Sequence, residues 1–255
     1  MHFAKYWALG SSGKYKCWRS SDVSESDARA KAAADAVTIG GKVDGGVRWK
    51  YGYPDRAVRE EVLQQAAGGA GPEIAWAVTR NAYGCDVLNT SRMVFVDVDH
   101  DGPPQRHLDQ AQRWADSHPG WCFRAYKTKA GLRLLATHAL VRPDDPLVVK
   151  DLFPALGTDA LYARLCKTQG SYRARLTPKP WRCGINAPRM RWPWSDAGAE
   201  ERFRDWHGQY QQASGKYATC ELVAEIGPHS VLPEIAPVIA LHDRATRVGS
   251  GLPLA

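Results

Sequence analysis

Several features that define common protein classes are missing from this 255-residue chain. No stretch approaches 18 uninterrupted apolar residues, so a membrane-spanning helix is not expected. The first residues carry a lysine but no apolar h-region, so we expect no signal peptide and predict a cytoplasmic protein. None of the six cysteines lies in a CxxC pair, and no histidine stands at zinc-finger spacing from one. Free thiols are therefore expected, without structural zinc.

The composition is that of an ordinary globular protein, with 44% hydrophobic and 24% charged residues. Internal repeats and low-complexity segments are absent. The net charge of +7 permits a nucleic-acid or nucleotide partner without demanding one.

The hydrophobic pattern mixes strands and helices without strict βαβ alternation, which predicts an α+β fold with helices on one side of a sheet. Strands are predicted at 3–9, 14–19, 74–78, 93–98, 121–127, 132–138 and 172–176. Helices are predicted from Ser24 to about 37, then at 54–65, 104–118, 159–169, 197–225 with an interruption near Gly215, and 233–247. A glycine-rich loop is expected at 40–46.

The sharpest local signal is the run Met93-Val94-Phe95-Val96-Asp97-Val98-Asp99-His100-Asp101-Gly102. Residues i and i+2 of a strand share a face, so Asp97 and Asp99 are expected side by side. Adjacent carboxylates repel unless a cation lies between them or one is protonated, and Mg²⁺ or Mn²⁺ suits such oxygen ligands. The alternative is a polar turn after the strand, and Asp101 in particular is assigned to a turn.

A hairpin with a basic tip follows, at Lys127-Thr128-Lys129-Ala130-Gly131-Leu132-Arg133. Its hydroxyl, backbone N–H groups and flanking cations suit phosphate binding. Arg133 begins an apolar run, so its guanidinium must contact a polar partner or a solvent-filled cleft. The alternative is an ordinary hairpin whose arginine extends along the apolar surface to solvent.

The segment 160–191 contains eight basic residues and no Asp or Glu, so the chain's basicity is concentrated there. Arg173 and Arg175 alternate along a predicted strand and should share a face. Trp181 lies nearby and could stack on bases. The alternative is a solvated basic face. Just before this segment, Asp159 is either a third metal ligand or the N-cap of the following helix.

The order of these motifs resembles the archaeo-eukaryotic primase superfamily, which includes small primase subunits and primase-polymerases. The family has an hhhDhD strand, a Ser-x-Gly-x-His-like hairpin and a later h-Asp. The matching positions here are Asp97 and Asp99, then 128–133, then Asp159, within about 91–182. Arg133 stands where the family has a nucleotide-contacting histidine. The family's zinc module and fused helicase have no counterpart.

The resemblance implies an RRM-like antiparallel or mixed sheet core with helices on one side, preceded by an N-terminal α/β unit. It implies a catalytic domain over 1–195, with the α/β unit at about 1–90 and the metal-binding core at about 91–195. A C-terminal helical extension would occupy 196–255.

The resemblance further implies a metal-dependent nucleotidyltransferase with a two-metal site for Mg²⁺ or Mn²⁺, acting in DNA replication or repair. Its partners would be a nucleoside triphosphate, a single-stranded or primed DNA or RNA template, and a separately encoded helicase or other replication or defence protein. The implied metal ligands and catalytic residues are Asp97, Asp99 and Asp159. The implied nucleotide-binding residues are Lys127, Thr128, Arg133, Arg173 and Arg175. The implied nucleic-acid-binding residues are Lys179, Trp181 and Arg182.

Two other functions are compatible with the sequence. A non-catalytic nucleic-acid or nucleotide binder on the same scaffold is favoured by Arg133, because arginine binds phosphate but does not transfer a proton. A phosphatase with an aspartyl nucleophile of haloacid-dehalogenase type would need Thr or Ser after the Asp-Gly pair, where Pro103 stands.

Overall fold

The computed structural model describes residues 1–46, 57–68, 73–100 and 102–255. Within these ranges the chain is an α+β protein with six α-helices and three antiparallel sheets, none closed into a barrel, which confirms the predicted class. Asp101, which was assigned to a turn, lies outside the described residues, as does part of the helix predicted at 54–65.

The strands are β1 (Tyr6–Ser12), β2 (Tyr15–Ser21), β3 (Glu61–Ala67), β4 (Ile74–Arg80), β5 (Asp86–Thr90), β6 (Met93–Asp99), β7 (Phe123–Thr128), β8 (Gly131–Leu140), β9 (Tyr172–Arg175) and β10 (Cys220–Ile226). The α-helices are α1 (Glu25–Asp44), α2 (Gln105–Ser117), α3 (Phe153–Leu156), α4 (Ala160–Gln169), α5 (Ala197–Ser214) and α6 (Ala236–Thr246). A π-helical turn, Leu147–Leu152, precedes α3, and a 3-10 turn spans Pro180–Cys183.

Strands β1 and β2 form a two-stranded sheet that packs on α1. The predicted cap is confirmed, because the side chain of Ser24 accepts a hydrogen bond from the backbone N–H of Asp27. A side chain at Gly10 would overlap the backbone of Ala32, so strand and helix approach closely there. The helix runs through the predicted glycine-rich loop to Asp44, and a Cβ on Gly40 would lie only 2.9 Å from the ring of Tyr15.

The second sheet has the strand order β3-β4-β5-β9. The helix predicted at 54–65 is wrong over its described residues, since 57–60 form no regular secondary structure and 61–65 lie in β3, which pairs with β4. Glu61, Leu63 and the glutamines favour a helix locally, but pairing along the edge of the sheet outweighs that weak preference.

The third sheet has the order β10-β7-β8-β6, with every neighbouring pair antiparallel. The predicted hairpin is confirmed as β7 and β8. The helix predicted to reach about residue 225 ends at Ser214, and β10 follows it, so the last 60 residues contribute a strand to the sheet that carries Asp97 and Asp99.

One hydrophobic core joins the two four-stranded sheets. Phe95, Leu134 and Tyr126 of the third sheet belong to the same buried cluster as Leu88 and Tyr172 of the second. No disulfide bond links any of the six cysteines, all of which lie among the described residues. Among the described helices, none is long and apolar enough to cross a lipid bilayer.

Candidate functional site

Asp97 and Asp99 lie at the C-terminal end of β6 and share one face of that strand. Their partners across the strand pair are Arg133 and Gly131 of β8. A side chain at Gly131 would overlap the carbonyl of Val98, so the absence of a side chain lets the hairpin approach β6 at this point. The acidic pair and the hairpin tip therefore occupy the same end of the sheet.

Asp159 is held beside the acidic pair by a hydrogen bond to β6, which is an edge strand of its sheet. Its backbone N–H donates a 3.0 Å hydrogen bond to the carbonyl of Asp97. Three residues later, the Tyr162 hydroxyl donates a 3.0 Å hydrogen bond to the carbonyl of Phe95. The segment 159–162 thus satisfies two carbonyl groups that an edge strand would otherwise leave unpaired.

Asp159 is also the N-cap of α4, because its side chain accepts a 2.7 Å hydrogen bond from the Tyr162 backbone N–H. The helix-cap role considered for Asp159 is confirmed, whereas its role as a third metal ligand stays a prediction.

The three carboxylates interact electrostatically. Partial desolvation raises the pKa of Asp99, and the charges of Asp97 and Asp159 raise it further. Lys179 and Arg175 oppose this shift and lower the pKa of Asp99. A carboxylate that is repelled by two others is stabilised by a cation, and an all-oxygen donor set suits a hard divalent ion.

In chemical character the donor set therefore fits Mg²⁺ or Mn²⁺. Among the described residues, however, no three His, Cys, Asp or Glu side chains are arranged to hold a metal ion. Asp97 instead faces the guanidinium of Arg133, with its Oδ1 3.7 Å from Arg133 Nε.

Arg133 lies in the protein interior, with a relative exposure of 4%. Its Nη1 donates a 2.9 Å hydrogen bond to the carbonyl of Arg175 and lies 3.3 Å from His242 Nε2. Its buried Nε has no hydrogen-bond partner among the described atoms. The guanidinium thus contacts Asp97 from inside the protein, and contact with a triphosphate stays a prediction.

His242 connects Arg133 to the C-terminal helix α6. Because Arg133 can only donate, we assign His242 Nε2 as the acceptor, which places the imidazole proton on Nδ1. Nδ1 then donates to Asp243 Oδ1 at 2.9 Å, and Asp243 Oδ2 accepts a 2.9 Å bond from Arg124. Burial lowers the pKa of His242, which favours the neutral ring that this chain of contacts requires.

Two cations, Arg175 and Lys179, act on the charge of Asp99, and Arg182 lies near both of them. Arg175, Lys179 and Arg182 lie close enough to affect one another, since burial and then this mutual repulsion lower the pKa of Lys179. None of the three forms an ion pair within 4.0 Å with a described carboxylate. A group of cations without a salt-bridge partner attracts phosphate.

Arg173 has a different environment from Arg175. Its Nη2 donates to both carboxylate oxygens of Glu60, at 2.7 and 2.9 Å, and its Nη1 donates to Gln169 at 3.0 Å. Both charged side chains of the pair are mostly buried. The sequence reasoning assigned Arg173 to nucleotide binding, whereas the structure pairs it with Glu60.

Trp181 is 49% exposed and makes an edge-to-face contact with Tyr83, with ring centroids 5.2 Å apart. Lys179 Nζ lies 5.5 Å from the Trp181 ring centroid. An exposed indole beside cations is suited to stacking on a base. In the hairpin, the strand register places Thr128 on the sheet face of Asp99, whereas the exposed Lys127 lies on the opposite face.

Sequence reasoning missed the histidines beside this site. His100 follows Asp99 and stacks on His107 of α2 with centroids 4.9 Å apart. His100 Nε2, His107 Nδ1 and Thr158 Oγ1 are buried without a hydrogen-bond partner among the described residues. The position of His100 directly after the acidic pair was a usable signal, whereas no local pattern connects His107 or His242 to it.

No family model, curated protein or solved structure matches this chain.

Proposed function

We propose that this protein is a metal-dependent nucleotidyltransferase of primase-polymerase type, which adds nucleotides to a 3′-hydroxyl on a nucleic-acid template. The observation that carries the proposal is the convergence of Asp97, Asp99 and Asp159 opposite Arg175 and Lys179. Carboxylates for divalent cations beside basic groups for phosphates are the two parts that phosphoryl transfer needs.

In this proposal Asp97, Asp99 and Asp159 hold two Mg²⁺ or Mn²⁺ ions. Bound there, the ions would lower the pKa of the 3′-hydroxyl and stabilise the pyrophosphate leaving group. Arg175 and Lys179 neutralise the triphosphate, while Thr128 and the backbone of the hairpin tip orient it. Arg133 contacts Asp97 from the protein interior and positions it. Arg133 is itself fixed by its contacts with His242 and the Arg175 carbonyl.

The template would pass over Lys179, Trp181 and Arg182, which place two cations and an exposed indole ring close together in the chain. We further propose that the sheet β10-β7-β8-β6 forms an RRM-like core, in which α2 connects β6 to β7. The proposed protein is cytoplasmic, acts in replication or repair, and works with a separately encoded helicase or defence protein.

The test is incorporation of labelled nucleotides on a primed template, with Mn²⁺ or Mg²⁺ and with either ribo- or deoxynucleotides. Asp99→Asn should reduce incorporation by at least about 100-fold, because it removes an exposed metal ligand. Asp205→Asn, an exposed aspartate on α5, is the matched control and should leave incorporation unchanged. No metal-dependent incorporation by the parent protein under any of these conditions would overturn the proposal.

The second candidate is a non-catalytic nucleotide or nucleic-acid binder on the same scaffold. It is favoured by the lack of a preformed metal-binding group among the described residues. The interior position of Arg133, where the resembled family places a histidine that contacts nucleotide, favours it as well. Nucleotide binding by the parent without any metal-dependent incorporation would select this candidate.

A further inference from the structure

The sheet β1-β2 has one face packed on α1 and a second face that the described residues cover only in part. Cys17 and Arg19 point to the helix, since the Cys17 thiol donates to the carbonyl of Ala32 and Arg19 pairs with Asp35. The alternating residues Trp7, Lys16 and Trp18 lie on the opposite face. Both tryptophans are half-buried, and Lys16 is exposed.

A cavity of about 720 Å³ lies along β2, where residues of both faces line it: Trp7, Lys16 and Trp18 from this face, Arg19 and Asp35 from the helix side, and Arg59 and Arg191 from other segments. The guanidinium of Arg59 lies over the Trp18 ring, 4.5 Å from its centroid, and Trp192 makes an edge-to-face contact with Trp7. Arg59 is held in place by its Nε, which donates a 3.1 Å hydrogen bond to the carbonyl of Trp192. This cavity, named here the N-terminal groove, shares no lining residue with the carboxylate site.

The described residues that line the N-terminal groove carry a net positive charge. Its one described lining carboxylate, Asp35, is paired with Arg19. Lys16, Arg59 and Arg191 have no described carboxylate within 4.0 Å. Burial, together with the nearby charge of Arg191, lowers the pKa of Arg59 to about 10. Two neighbouring guanidinium groups without a described acid are stabilised by a bound anion.

We infer that the N-terminal groove binds single-stranded nucleic acid, with bases against Trp18 and Trp7 and backbone phosphates on Lys16, Arg59 and Arg191. Aromatic rings on an open sheet face beside cations are the arrangement with which proteins hold single strands. An acidic peptide or free polyphosphate would use the cations but gain little from the two indole rings. Binding here does not require nucleotidyl transfer at the carboxylate site.

The direct test is fluorescence anisotropy of a labelled 15-mer of thymidine across a range of salt concentrations. The variant carries Lys16→Gln with Arg191→Gln, since both side chains are exposed and their replacement should leave the fold intact. Loss of two phosphate contacts should flatten the slope of log affinity against log salt by roughly 1.4. Arg113→Gln with Lys150→Gln removes two exposed charges elsewhere and should change the slope little.

The aromatic part is tested with Trp18→Leu, which keeps an apolar side chain but loses the flat ring. The loss of one stacked base should weaken binding roughly 5- to 150-fold. Melting temperatures of all variants show whether the fold is retained. An oligonucleotide containing 5-iodouracil should also crosslink to Trp18 or Trp7 of the unmodified protein under ultraviolet light, which avoids any effect of substitution on folding.

The inference is overturned if the Lys16 and Arg191 double variant keeps the parent's affinity and salt slope. It is also overturned if polyphosphate or polyglutamate of equal charge displaces the oligonucleotide as well as unlabelled oligonucleotide does, because the groove would then recognise anions only. Failure of nucleotide incorporation leaves it standing, since Asp99→Asn should bind the 15-mer as the parent does.

Discussion

The backbone N–H of Asp159 donates a 3.0 Å hydrogen bond to the carbonyl of Asp97, so two residues 62 positions apart in the chain are fixed as neighbours. This bond joins main-chain atoms only, so neither carboxylate takes part in it. It survives side-chain substitution, so charge at residue 159 can be changed while its place beside Asp97 is kept.

Asp159→Asn and Asp159→Ala therefore separate the helix cap from the charge. Asn caps about as well as Asp, so Asp159→Asn should melt within about 1–2 °C of the parent, whereas Asp159→Ala should lose about 1 kcal/mol of unfolding free energy. Both should lose most of the thermal shift that Mn²⁺ with nucleotide gives the parent. A full Mn²⁺ shift in Asp159→Asn would restrict Asp159 to capping.

Asp99→Asn should stabilise the protein at neutral pH in buffer containing a chelator. The pKa of Asp99 is raised above its ordinary value of 3.8, so the native state binds the proton more tightly than the unfolded chain does. The resulting destabilisation grows as pH rises from about 3.8 through the raised pKa, and it is absent below that window. The melting difference between variant and parent should follow this course, and a constant difference would contradict it.

Asp97→Asn should act in the opposite direction, although it removes the same charge from the same strand. Asp97 is the carboxylate that faces the buried guanidinium of Arg133, and an amide does not neutralise it. The expected loss is roughly 1–3 kcal/mol of unfolding free energy, measured by urea unfolding. Asp205→Asn is again the control. An unchanged midpoint would mean that the 3.7 Å contact contributes little.

His242→Gln tests the buried connection between α6 and Arg133. The pKa of His242 is lowered, so the unfolded chain takes up a proton near pH 6.5 while the native state resists it. The stability contributed by the neutral ring is complete above about pH 6.5 and is lost as pH falls below it. The variant should lose less stability than the parent between pH 7 and pH 5. Parallel pH profiles would exclude His242 as a source of acid sensitivity.

Arg173 and Arg175 should behave differently despite their shared strand. Arg173→Gln breaks a mostly buried ion pair with Glu60 and should destabilise the fold by roughly 3–5 kcal/mol, without changing the nucleotide affinity of the folded fraction. A double-mutant cycle with Glu60→Gln should recover part of the loss. Arg175→Lys keeps the charge and should weaken nucleotide binding less than Arg175→Gln does. A large fall in nucleotide affinity in Arg173→Gln would restore its predicted binding role.

Local pattern was sufficient to predict the acidic strand, the basic hairpin and the helix after Asp159. Each of these depends on contacts between residues close in sequence or on a clear period of two. The two wrong helix assignments have a common cause. Segments 61–65 and 220–225 are rich in Glu, Leu, Ala and Gln, which favour a helix, and both become strands by pairing with β4 and β7.

The site was predicted in part for a related reason. Asp97 and Asp99 are recognisable because an apolar strand ends in two charges of one sign. The partners of Arg133 are not recognisable, since the Arg175 carbonyl and His242 reach it through tertiary packing. The same holds for Glu60, whose pairing with Arg173 joins residues 113 positions apart.

Strand β10 has a consequence for folding during synthesis on the ribosome. Its partner β7 emerges about 90 residues earlier, and at roughly 5–20 residues per second it waits on the order of ten seconds with an open edge. Arg124 and Lys127 place positive charges along that edge, and charge on an unpaired strand discourages association with other nascent chains. The arriving strand places Glu225 opposite Arg124 and Glu221 opposite Lys127, so the protecting charges also select the correct register.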